Sequence, residues 1–210
     1  MRIFKNKVTF LLILFATFFL SLFMVGCTNG CSACGNYELK LSFDKEKEGH
    51  YRLRSVKSND NTKVEIPSTY NNLPVKEIGY CAFLNCDKIK EIILPDSITY
   101  ISGDAFVGCD NLRYNEKDGL RYLGTRDNPY YALMGPVENS IIHANITDEC
   151  VVIAYNALYG CNNLVKVTIG SSVKHISTDL SMSNSIVEVY NKSTIDVFNE
   201  SIFGSNFKNR

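Results

Sequence analysis

The sequence predicts a mainly β solenoid built from units of about 23 residues, with short strands joined by tight or single-turn helical connections. Three observations predict it. Ile78, Ala82-Phe83, Cys86 and Ile89 recur 23 residues later as Ile101, Ala105-Phe106, Cys109 and Leu112. They recur again as Ile153, Ala157-Leu158, Cys161 and Leu164, and in decayed form as Ile176, Leu180, Asn184 and Val187. The second-to-third offset is 52, one period plus a 29-residue insertion. No such unit can bury its apolar side alone, and full burial of one Ile, Leu or Phe is worth about 1.5–3 kcal/mol. Stacking supplies that burial on both sides of a unit.

The chain begins with an export pattern. Arg2, Lys5 and Lys7 form a basic start, and Val8 to Val25 is an uncharged, mostly apolar run ending in Met24-Val25-Gly26-Cys27. A basic start, an apolar core and small residues at a cleavage point describe a secretory signal. Gly26-Cys27 resembles a bacterial lipobox, with Cys27 as the lipid attachment residue. Residues 1–27 are therefore expected to be a lipoprotein signal. An uncleaved membrane anchor and an ordinary cleaved signal remain open beside it. Residues 28–36 are small and polar and read as a flexible tether. Without Arg2, Lys5 and Lys7 the chain holds 19 basic and 22 acidic residues. That balance argues against nucleic acid as a partner.

The repeat domain is expected over 37–195, with a C-terminal tail or cap over 196–210. Tyr37 to Phe43 alternates apolar and polar residues like a half-buried strand, and Tyr51 to Val56 reads as its hairpin partner across a charged turn. This hairpin is expected to cap the open end of the solenoid. Val64-Glu65-Ile66-Pro67, Ile92-Ile93-Leu94-Pro95 and Val167-Thr168-Ile169-Gly170 read as equivalent short strands stopped by Pro or Gly. A surface loop is expected around Thr69 to Leu73. Second strands follow at Val75 to Ile78, Ile98 to Ile101, Val151 to Ile153 and Val173 to Ile176. The Ala-Phe pair then sits on a turn, its Phe pointing inward. On that basis Phe106→Ala is expected to cost about 3–5 kcal/mol, and the matched change at Leu180 clearly less. The insertion, about 114–147, reads as a β-hairpin that continues the sheet.

The chain carries eight cysteines. Cys86, Cys109 and Cys161 share one repeat position, so buried stacked thiols are expected rather than bridges. Cys31-Ser32-Ala33-Cys34 lacks the flanking strand and helix of a redox motif and a second ligand pair for zinc. A thiol-redox or metal-binding role for Cys31 and Cys34 is the weakest alternative. His50, His143 and His175 lie on separate units, outside any nucleophile signature, and His175 is expected to face solvent. Neither catalysis nor a cofactor is expected.

The stretch Leu94-Pro95-Asp96-Ser97-Ile98, through Ile101, Ala105-Phe106 and Cys109 to Leu112, resembles the unit I-P-x-S-V-x-x-I-G-x-x-A-F-x-x-C-x-x-L of BspA-type leucine-rich repeat proteins. The resemblance covers roughly residues 50 to 195. It implies an exported or surface protein of bacteria that works by adhesion or protein binding, and it does not imply an enzyme. Partners would be a protein or other extracellular macromolecule, with the membrane reached through the N-terminal lipid. A structural envelope protein, or a repeat remnant with no dedicated ligand, is the alternative. The expected binding surface is the outward face of the strand ladder, at Glu91, Ile93, Lys166 and Thr168. Tyr122, Tyr130 and Tyr131 of the insertion are also expected outside, where aromatic residues make useful contacts.

Overall fold

The computed structural model describes residues 39–57, 60–177 and 185–195, which hold strands and turns and no helix. Two rows of parallel strands run through these residues, each divided between two separate sheets. One begins with a hairpin, β1 (Lys40–Lys45) and β2 (Tyr51–Lys57), paired antiparallel. β2 then pairs in parallel with β5 (Leu73–Ile78), and β5 with β7 (Tyr100–Ile101). Leu53, Ile78 and Ile101 are each fully buried and form one column. The hairpin thus covers the first coil, as its alternation predicts.

The other ladder is made from the first strand of each unit. β3 (Lys63–Glu65) pairs with β6 (Glu91–Ile93). Farther along, β11 (His143–Asn145), β13 (Lys166–Ile169) and β15 (Glu188–Asn191) pair in parallel. His143 lies opposite Lys166, so the register equals the sequence period. Val64, Ile92, Ala144 and Val167 point inward and are buried.

The expected surface loop near Thr69 is instead a tight hairpin between β4 (Thr69–Tyr70) and β5. Asn71 and Asn72 both have positive φ, 45° and 62°. That pair of conformations matches strand twist in a two-residue turn, and Asn tolerates it better than most residues. Tyr70 stacks on Phe43 at 4.5 Å between ring centroids.

The insertion is a meander of β8 (Asn115–Lys117), β9 (Leu120–Leu123) and β10 (Ala132–Pro136). Asp118 and Gly119, with φ of 52° and 75°, turn β8 into β9. β10 pairs in parallel with β12 (Val152–Ile153), which pairs with β14 (His175–Ile176). At its other end Gly124 bridges to Ile93, and the Leu94 amide donates to the Gly124 carbonyl at 2.9 Å. The insertion therefore touches both ladders, adding a rung to one and a single bridge to the other.

Between the ladders the chain turns through linked bonds from residue i+3 back to i. The Ala82, Leu84, Cys86 and Ile89 amides donate to the carbonyls of Gly79, Cys81, Phe83 and Cys86. These are successive tight turns rather than a helical turn. Neighbouring coils are tied directly, Phe83 N to Ala105 O and Asn85 N to Val107 O, both at 2.8 Å. Ala82 and Ala105 are buried against this close approach. Phe83 is fully buried, but Phe106 is only half-buried, its ring 5.1 Å from that of Phe83. The expected cost of truncation therefore shifts from Phe106 to Phe83. Leu180, Ser181 and Asn184 of the decayed unit lie outside the described residues.

The repeat cysteines Cys86, Cys109 and Cys161 are buried and form no disulfide, as expected. Cys86 and Cys109 donate to carbonyls of the preceding coil, Val56 O at 3.7 Å and Phe83 O at 3.0 Å. Cys150 is also free and buried, and Cys81 is half-buried.

Candidate binding surface

The outward side chains of the first-strand ladder form the most regular exposed surface among the described residues. Strand alternation that buries Ile92 and Val167 turns Glu91, Ile93, Lys166 and Thr168 to the other side. Glu91 is exposed, while Ile93, Lys166 and Thr168 are partly so. Lys63 and Glu65 precede them on β3, His143 and Asn145 lie on β11, and Glu188 and Tyr190 on β15. Lys63 Nζ sits 2.7 Å from Glu91, Lys166 Nζ 3.7 Å from Glu188 and 4.2 Å from the centre of the Tyr190 ring. Arg126 forks onto Glu65 at 2.9 and 2.6 Å. Exposed pairs of this kind contribute about 0–1 kcal/mol each. They can therefore be exchanged for a partner's charges at small cost.

The insertion interrupts this face. β6 meets the insertion only at the Ile93–Gly124 bridge, and an open cleft of about 810 Å³ lies there. Ile92, Ile93 and Leu123 contribute apolar surface, with Lys90, Arg113 and Tyr114 around them. A second hollow of about 450 Å³ adjoins it. Ile93 and Arg126 line both.

Tyr122, Tyr130 and Tyr131, the insertion tyrosines expected outside, do not share this surface. Tyr122 is fully buried and Tyr131 is 5% exposed, so both are core residues rather than outside contacts. β9 and β10 are covered on the face these rings occupy, and each hydroxyl finds a partner there. Tyr122 Oη accepts from the Thr147 amide at 3.4 Å. Tyr131 Oη lies 2.8 and 2.9 Å from the Asp96 and Ile98 carbonyls. Tyr130 is half-buried, packed edge-on against Tyr122 with Lys117 over its ring.

The histidines also differ from a uniform surface reading. His50 is buried, and its Nε2 lies 2.7 Å from Glu77, whose other oxygen takes Arg52 at 2.6 Å. Glu48 stands 3.9 Å from Nδ1, on the opposite side of the ring. Both Glu77 oxygens are thus occupied by protein donors, and the cluster pins the capping hairpin to the first coil. His175 is half-buried rather than facing solvent. Burial, then Lys174 and Lys76, lower its pKa. Cys27, Cys31 and Cys34 lie outside the described residues.

The buried acids predict an alkaline limit. Burial pushes the Cys109 thiol up to about 11, Cys150 to about 12 and Tyr131 to about 12. Each group is neutral when protonated, so its raised folded pKa means the native state holds the proton more tightly. The stabilisation is complete below the ordinary thiol value of 9.0 and is lost as pH climbs toward 12. Urea melts should show a midpoint that falls steadily above pH 9. A midpoint that rises there would contradict these burials.

Lys90 and Arg113 were not singled out from the sequence, although the signal was present. They follow the repeat residues Ile89 and Leu112 and stand 23 residues apart. Arg113 N donates to Lys90 O at 3.0 Å, so the two positions stack.

The model of the BspA-type leucine-rich repeat region matches residues 56–125 and 136–209 with six copies, where the sequence pattern gave four. Among solved structures, the chain is similar to the T. pallidum leucine-rich repeat protein TpLRR. Identity is 19%, with 73% of this chain and 80% of that one covered and a TM-score of 0.42. It is also similar to a leucine-rich repeat protein from Bacteroides capillosus, at 22% identity, 72% and 93% coverage and a TM-score of 0.37. No curated protein matches it in sequence. With the repeat model spanning most of its length, the chain belongs to the BspA-type leucine-rich repeat family.

Proposed function

We propose that this chain is an exported, lipid-anchored protein of the bacterial surface that binds other proteins through the outward face of its strand ladder. The observation that carries the reading is the outward side of these parallel strands. Glu91 and Ile93 stand outward on the β3–β6 pair, Lys166 and Thr168 outward on the separate β11–β13–β15 sheet, and the ion pairs among their neighbours are weak enough to exchange. Stacked repeats of this kind make extended binding surfaces, and leucine-rich repeat proteins generally work by protein interaction. Cys27 would carry the lipid, and residues 28–36 would hold the domain away from the membrane.

The test is saturable capture of immobilised extracellular matrix proteins by the full-length chain. A fourfold variant exchanges the outward residues only, Glu91→Lys, Ile93→Arg, Lys166→Glu and Thr168→Glu. Ile92 and Val167 stay in place. Capture by the native chain, lost in the variant at an unchanged melting temperature, is the expected result. Equal capture by both would place binding elsewhere. Capture by neither would favour a structural envelope role.

A further inference from the structure

We infer that the cleft beside β6 binds an extended acidic peptide segment of a partner protein, with carboxylates on Lys90 and Arg113 and an apolar side chain on Ile93. This rests on the reading that the outward face binds protein, and it names the ligand chemistry of one part of that face. Four cations line or border the cleft: Lys63, Lys90, Arg113 and Arg126. Lys63 is spent on Glu91 and Arg126 on Glu65. Lys90 and Arg113 are exposed and have no side-chain partner among the described residues. Their backbones stack one coil apart at the same repeat position, which places two unpaired cations on the same rim of the cleft. Like charges held close are costly unless an anion joins them.

The rest of the cleft argues for peptide over a purely anionic polymer. Ile93 leaves apolar surface open at the centre of an otherwise charged rim. The interruption of the ladder leaves a slot about 810 Å³ in volume beside a strand, which suits an extended chain with alternating side chains. Tyr114, held protonated by burial with its pKa pushed up to about 12, remains a phenol able to donate a hydrogen bond.

The experiment uses fluorescence anisotropy with the full-length chain and a labelled peptide alternating Val with Asp and Glu. Four controls accompany it: the same peptide with Lys at the acidic positions, unlabelled heparin as competitor, and the variants Lys90→Glu/Arg113→Glu and Lys90→Arg/Arg113→Lys. Saturable binding of the acidic peptide is expected, weakening with added salt and absent for the Lys peptide. The double variant should lose at least about ten-fold in affinity at an unchanged melting temperature, and Lys90→Arg/Arg113→Lys should keep it. Equal binding by native and double-variant chains overturns the inference. So does a native chain that ignores the acidic peptide, or that binds heparin in its place. Each of those results leaves the matrix-protein capture and its fourfold variant intact, so the wider reading falls only if that capture fails.

Discussion

Phe83→Ala is expected to destabilise the domain by about 3–5 kcal/mol. Its ring is wholly removed from solvent, and it packs between the capped first coil and the Phe106 ring of the next. Direct backbone bonds from Phe83 and Asn85 to Ala105 and Val107 hold the two coils at fixed separation. The coils therefore cannot close over the cavity, and both the transfer and the cavity terms are felt in full. Phe106→Ala should cost clearly less, because its ring is only partly buried. Urea melts of the two variants measure the difference. Equal losses would mean that the coils are not stacked in this register.

Gly170→Ala should be nearly as damaging, by about 3 kcal/mol. A Cβ at that position would stand 2.1 Å from the Thr147 carbonyl oxygen and 2.6 Å from its carbon. Thr147 is the same repeat position one coil earlier, 23 residues back. The obstacle is backbone, so no side chain can rotate away, and relief requires the coils to part. Gly119→Ala makes the contrast. It meets open space but sits at a positive φ of 75°, so only local strain of about 1–2 kcal/mol is expected. Thermal melts showing the reverse order would refute the close contact between coils at Thr147 and Gly170.

The difference between these glycines also shows what the sequence could reveal. The period was legible because the residues that define it, Ile78 with Ile101 and Ile153 with Ile176, are neighbours across a ladder. Alternation correctly turned Ile92 and Val167 inward. It failed for Tyr122 and Tyr131 because period two separates two faces without saying which one is covered. The cover for those rings comes from residues around Asp96, Ile98 and Thr147, in other coils. The insertion's role was half-visible. Its hairpin, β9 with β10, followed from the alternating aromatic stretches 118–124 and 128–134, but β8, the parallel pairing with β12 and the bridge at Gly124 leave no periodic trace. The cleft was hidden for the same reason, since four separate stretches of chain line it, although the spacing of Lys90 and Arg113 was open to view.

All the binding chemistry argued for this face presupposes a chain displayed outside the cell. The most direct test is metabolic labelling with palmitate in a bacterial host, native chain beside Cys27→Ala, with antibody access measured on intact cells. Label and surface access are expected for the native chain, and no label on the variant. Absence of label from both, with the native chain hidden from antibody, would contradict it.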